Sequence, residues 1–123
     1  MANGVRIRGI NQDTDRVSVQ STEQDTHLLT RRRWRFLPAK WTDVSIGRDE
    51  LIVLKCNDGT AVIELKHLGG PHGDLVVDER GERRHRVRDG QVLRITLERN
   101  KAVFLKTQAM RYPFGSPGRA MLV

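Results

Sequence analysis

Turn chemistry punctuates this chain at short intervals, and that spacing leaves room for little besides strands. Asn11-Gln12-Asp13-Thr14-Asp15, Asn57-Asp58-Gly59, Gly69-Gly70-Pro71-His72-Gly73, Glu79-Arg80-Gly81-Glu82, Asp89-Gly90 and Arg99-Asn100 are turn or loop sequences. They are rich in residues that reach positive φ or hydrogen-bond their own backbone. Signals of this kind, recurring about every eight to twelve residues, point to an antiparallel barrel or sandwich.

The segments between the turns alternate with a period of two. Val5-Arg6-Ile7-Arg8 and Arg16-Val17-Ser18-Val19-Gln20 read as an N-terminal hairpin. Val92 to Glu98 places Leu93, Ile95 and Leu97 on one face and Arg94, Thr96 and Glu98 on the other. Leu51-Ile52-Val53-Leu54 is apolar on both faces, as a central strand should be, and Ala61 to Lys66 reads as its partner across Asn57-Asp58-Gly59. Leu75-Val76-Val77 and Arg83 to Arg88 form a further hairpin, and Lys101 to Lys106 a last strand. The expectation is an all-β fold, a small antiparallel barrel or sandwich of about seven to eight short strands. Two segments depart from it. Thr22-Glu23-Gln24-Asp25, followed by Leu28 and Leu29, predicts an irregular or short helical segment near residues 22–40, ended by Pro38. Tyr112-Pro113-Phe114-Gly115-Ser116-Pro117-Gly118 predicts an extended C-terminal arm over about 108–123 with two aromatic anchors.

A chain of 123 residues reads as one domain, 1–123, able to bury a core without metal or disulfide staples. Hydrophobic residues at 37% and charged residues at 30% place it outside the disordered class. Cys56 is the single cysteine, so no internal disulfide is expected, and its place at the end of an apolar strand reads as a buried, inert thiol. No apolar run follows the N-terminal residues, and the longest strongly apolar stretch, Leu51 to Leu54, is far too short to cross a bilayer. The expected location is cytoplasmic, or a virion, with no membrane partner.

Charge narrows the partner. Lys and Arg number 22 against 15 Asp and Glu, a formal net charge of +7. The excess is clustered in Arg31, Arg32, Arg33, Arg35 and Lys40, in Arg80, Arg83, Arg84, Arg86 and Arg88, and in Lys101, Lys106, Arg111 and Arg119. Such clusters are the electrostatic footprint of a polyanion. On a strand, Arg84, Arg86 and Arg88 project from one face about 6.7 Å apart, twice the rise per residue, while His85 and Val87 face the other way. Arg6 and Arg8 repeat the pattern. Guanidinium groups hold phosphate oxygens bidentately, so this is a candidate phosphate ridge. Arg31, Arg32, Arg33 and Arg35 form a candidate second clamp, with Trp34 placed to stack on a base. The competing reading pairs the ridge with Glu79, Glu82 or Asp89 and puts Trp34 and Phe36 in the core.

Catalytic patterns are lacking. His67, His72 and Asp74 surround the glycine-rich loop, with His85 as a conceivable fourth ligand, but their spacing matches no zinc signature and cysteine ligands are missing. The loop histidines read as solvated. Asp43-Val44-Ser45-Ile46-Gly47 lacks the glycine two residues before the serine that a nucleophile elbow needs. No glycine loop ending in Lys-Ser or Lys-Thr is present. The expectation is a non-enzymatic protein without cofactor or metal.

Two segments resemble parts of the forkhead-associated domain, a phosphothreonine-binding β-sandwich. Ser45-Ile46-Gly47-Arg48 is similar to that family's opening Ile-Gly-Arg element, and Val87-Arg88-Asp89-Gly90-Gln91-Val92-Leu93-Arg94-Ile95 to its closing strand. The resemblance implies a sandwich. The Ser-Arg-x-x-His element and the Asn-Gly loop that would read a phosphopeptide do not occur between the two segments.

Together these readings give a basic β-domain that binds nucleic acid, or another polyanion, through the phosphate backbone. The alternative is a structural subunit of a large assembly of virus or phage type. Its basic faces and termini would then contact neighbours in a homo-oligomer or larger complex.

Overall fold

In the computed structural model, residues 3–10, 17–23, 29–34, 39–79, 83–99 and 101–111 are described, with backbone alone for 20–23 and 29–34. Among them every regular element is a strand. In chain order these are β1 (Asn3–Gly9), β2 (Val17–Glu23), β3 (Leu29–Trp34), β4 (Thr42–Ile46), β5 (Glu50–Cys56), β6 (Thr60–His67), β7 (Leu75–Glu79), β8 (Arg83–Val87), β9 (Val92–Glu98) and β10 (Ala102–Thr107). They form two antiparallel sheets, one ordered β4-β1-β6-β9 and the other β3-β2-β5-β10-β7-β8. The arrangement is an open sandwich; the barrel is not closed.

No helix occurs near residues 22–40 among the described positions. Thr22 and Glu23 continue β2, whose pairing with β5 runs unbroken from Val17↔Cys56 to Glu23↔Glu50. Leu29 is already in β3, which pairs back onto β2. A full ladder of backbone bonds to β5 outweighs the weak helix-start signal of Thr-Glu-Gln-Asp. Residues 24–28 and 35–38 lie outside the described set, as does most of the expected C-terminal arm, 112–123. The described start of that segment is held against the fold. Gln108 and Ala109 bond back to the carbonyls of Asp74 and His72, and Met110 is buried.

Ten strands form where about seven to eight were expected, β3 among them in the segment read as irregular or helical, and of the expected hairpins only β7–β8 is present. The expected β1–β2 hairpin is absent, because β1 and β2 lie in different sheets. The same holds for β5 and β6 on either side of Asn57-Asp58-Gly59. There the chain crosses from one sheet to the other. The consecutive strands that do pair as hairpins are β2–β3 and β7–β8.

Alternation in each strand builds the core between the sheets. Val5, Ile7, Val44, Ile46, Ile63 and Leu65 from the four-stranded sheet meet Val17, Val19, Ile52, Leu54, Val77, Val103 and Leu105 from the other in one buried cluster. Leu51, Val53, Ala102, Phe104 and Met110 form a separate buried cluster. Leu51, Val53, Ala102 and Phe104 alternate with Ile52, Leu54 and Val103 and face the other way, so β5 and β10 are apolar on both faces. Cys56 is buried, with its Sγ 3.2 Å from the Asp58 carbonyl oxygen.

One end of the sandwich is closed by the glycine loop. Asn3, fully buried, donates from Nδ2 to the Gly73 carbonyl at 2.8 Å and accepts the His72 N–H on Oδ1 at 3.0 Å. His67 contradicts the solvated reading: it ends β6, is 2% exposed, and its Nε2 lies 3.3 Å from Asn3 Nδ2.

Candidate nucleic-acid interface

The β7–β8 hairpin carries the predicted ridge on a sheet edge. Its register sets Asp78 opposite Arg84, Glu79 opposite Arg83 and Val76 opposite Arg86. Arg84 and Arg86 project from one face, while Val87 is buried and His85 half-buried on the other. β8 ends at Val87, so Arg88 is not a third residue of the row. It opens a turn in which its N–H reaches Gln91 Oε1 at 2.9 Å and its carbonyl accepts the Gln91 N–H.

The ridge is partly neutralised, by carboxylates largely different from those the sequence suggested. Arg84 Nε lies 3.1 Å from Asp78 Oδ2, Arg86 Nη2 2.9 Å from Asp74 Oδ2, and Arg83 Nε 3.3 Å from Glu79 Oε2. Register explains the choice. Asp78 is directly across from Arg84, and Asp74 is the diagonal neighbour of Arg86, two residues before its opposite, Val76. The same Glu79 oxygen also meets His85 Nε2. Asp89 lies instead against Gly69, and Glu82 is outside the described residues.

These pairs position the guanidinium groups without consuming them. Arg84 and Arg86 side chains remain 59% and 60% exposed. Arg86 spends one N–H on Asp74, and a guanidinium fork has five donors. Arg88 is exposed. Beside Arg84, Lys106 donates to the Met110 carbonyl at 2.8 Å. Burial, and then the Arg84 charge, hold its pKa below the ordinary ammonium value, with Asp78 opposing.

The second predicted cluster lies elsewhere. Arg31, Arg32, Arg33 and Trp34 are on β3, and Arg35 is outside the described residues. β3 and β8 are the two opposite edges of the six-stranded sheet. Five strand spacings separate them, about 24 Å. The structure does not bring the two arginine clusters together.

Arg6 and Arg8 are occupied on the outward face of the four-stranded sheet. Arg6 Nε bonds Asp43 at 2.8 Å. Glu64 takes Arg8 on Oε1 at 2.7 Å and Arg94 on Oε2 at 3.3 Å, and the Arg8 guanidinium lies 4.5 Å from the Trp41 ring centre. This charge ladder ties β4, β1, β6 and β9 together. The Arg8 hydrogen bond, aided by Arg94 and opposed by burial, lowers the Glu64 pKa from its ordinary 4.5. A folded-state pKa below the unfolded one gives stability that is present above the unfolded value and lost as pH falls through the folded value. Glu64→Gln is therefore expected to lower the urea midpoint at pH 7 and to flatten its decline below about pH 4.5. Parallel acid profiles for the two proteins would show that Glu64 is not the linked group.

An open cleft of about 360 Å³ is lined by His85, Arg86, Val87, Gln91, Val92 and Leu93, the two sides of the turn from Arg88 to Gln91. It forms where β8, the edge of one sheet, faces β9, the edge of the other. Alternation already set His85 and Val87 on the face opposite Arg84 and Arg86. The approach of Leu93 and Val92 depends on the way the two sheets are stacked.

Among the described residues no three His, Cys, Asp or Glu side chains gather as a metal site would require, and no helix is long and apolar enough to cross a membrane. No known protein family matches the chain, and no curated protein resembles it closely enough to count as a relative.

Proposed function

We propose that this protein binds nucleic acid through the phosphate backbone, without catalysis. The observation that carries the reading is the β8 edge. Arg84 and Arg86 stand on one face with more than half of their side-chain surface exposed, held in place by Asp78 and Asp74, and Arg88 follows in the next turn. Arginine side chains that are held by a carboxylate yet more than half exposed are arranged to meet phosphate oxygens, and a formal charge of +7 adds long-range attraction. Arg31, Arg32 and Arg33 on the far edge are a separate contact set, which a strand lying across the sheet would reach.

Such binding is sequence-tolerant and driven by counterion release, so it weakens steeply with salt. Fluorescence anisotropy with labelled oligonucleotides across a salt series tests it. Wild type should bind at micromolar or tighter levels in low salt. The Arg84→Ala/Arg86→Ala/Arg88→Ala variant should bind more weakly, with a log–log salt slope shallower by about 2–3, the loss of three phosphate contacts. Failure of wild type to bind any oligonucleotide at low salt would sink the proposal.

A second reading, a subunit of a larger assembly, is favoured by the four sheet edges β3, β4, β8 and β9, which have no further strand partner among the described residues. Under that reading light scattering would find defined oligomers, and the same triple variant would dissociate them.

A further inference from the structure

The cleft between β8 and β9 lies against the arginine edge, and Arg86 belongs to both. Its volume, about 360 Å³, is at the lower end of the range for small-ligand sites, roughly 300–1,000 Å³. Its lining divides by chemistry. Val87 is buried at the floor, Leu93 is half-buried, and Val92 is 51% exposed at the rim. The His85 ring is three-quarters buried, with Nε2 turned to Glu79, so its plane is fixed by that contact. Gln91 is exposed and accepts the Arg88 N–H on Oε1, which leaves its amide N–H groups to donate. A flat, apolar-faced group with polar edges suits this lining, and an anion attached to it would meet Arg86 and Arg88.

We infer that the polyanion is single-stranded nucleic acid, one base of which enters the β8–β9 cleft beside His85 and Val92 while its flanking phosphates lie on Arg86 and Arg88. The inference rests on the phosphate-backbone reading above and adds the strand class to it. A duplex presents its phosphates to the same arginines, but its bases are stacked and paired inside the helix and cannot reach the cleft without being flipped out at a cost. A single strand turns a base outward freely, and proteins that hold single strands combine a basic track with side chains on which bases lie.

The test uses the full chain and five probes at one salt concentration: a labelled oligo(dT), the same strand with abasic sites in place of bases, a duplex of equal length, heparin and poly-glutamate. The single strand is expected to bind about tenfold more tightly than the abasic strand or the duplex. His85→Ala should cut that preference several-fold and leave heparin affinity unchanged. Val92→Ala, at a half-exposed position that the fold tolerates, should lower it in the same direction and keeps the test valid if His85→Ala unfolds. Equal affinity for oligo(dT), abasic strand and duplex would overturn the base-in-cleft inference while leaving the phosphate ridge standing. Binding to poly-glutamate in preference to every oligonucleotide would overturn it in favour of an acidic protein partner. No binding to any nucleic acid would overturn both readings.

Discussion

Gly70→Ala is expected to destabilise this protein by about 3 kcal/mol or more. Gly70 has a φ of 150°, in a region that essentially only glycine enters. A Cβ there would sit 2.3 Å from Asn3 Oδ1 and 2.6 Å from Asn3 Cα. The second contact is with backbone, inside β1, so a rotamer change cannot relieve it. Moving Asn3 would also break its bonds to Gly73 and His72, and a buried amide left unpaired costs about 1–3 kcal/mol. The control is Gly90→Ala. Gly90 has a φ of 83° but nothing within 4 Å of its Cβ position. It should lose only the backbone contribution, about 1 kcal/mol. Urea denaturation of the two variants checks this. Equal losses would show that the loop yields and that Asn3 does not lock the end of the sandwich.

Phe104→Ala is the other large loss, about 3–5 kcal/mol. Phe104 is fully buried, yet it is not part of the cluster between the sheets; it belongs with Leu51, Val53, Ala102 and Met110. Truncation removes the largest side chain of that group and leaves a cavity among neighbours that strand ladders hold in place. Val62→Ala, on a residue already 38% exposed, should cost well under 1 kcal/mol. Thermal and urea melts compare them. A loss below about 1 kcal/mol for Phe104→Ala would mean that this second cluster is not close-packed and contributes little. Net stabilities of domains are about 5–15 kcal/mol, so either prediction concerns a large share of the whole.

Both variants probe features with unequal visibility in the chain. The apolar run Leu51-Ile52-Val53-Leu54 announced a strand buried on both faces, and β5 lies in the interior of the six-stranded sheet with its residues divided between two clusters. Ala102-Val103-Phe104-Leu105 is an apolar run of the same kind, but which of its two faces joins which cluster depends on the strands packed against it. Asn3 gave no such sign. Its role depends on meeting Gly70, His72 and Gly73 across about seventy residues of chain.

The candidate site shows the same division. That Arg84 and Arg86 share a face was legible from alternation, which is a property of the extended backbone itself. That Arg88 leaves the row was not, since β8 stops where Gln91 caps the Arg88 N–H. Asp74 and Asp78 as partners follow from the β7–β8 register, which a turn sequence alone leaves open by a residue or two. The distance between the two arginine clusters follows from sheet order, to which no local signal refers.

By itself the sequence determined that this protein is made of short antiparallel strands, where most of them lie, and which side chains in several of them point inward. Leu93, Ile95 and Leu97 point inward and Arg94, Thr96 and Glu98 outward, as their alternation predicts. These are local matters, settled by backbone geometry and the period of the apolar residues. Apart from the β7–β8 hairpin, the tertiary structure decided which strands pair. Asn57-Asp58-Gly59 could turn the chain back along its own sheet or carry it across to the other, and it carries it across. The turn chemistry is the same in both cases. What differs is the burial of β5 and β6 against strands distant in sequence, a free energy that exists only once the two sheets have closed over a common core.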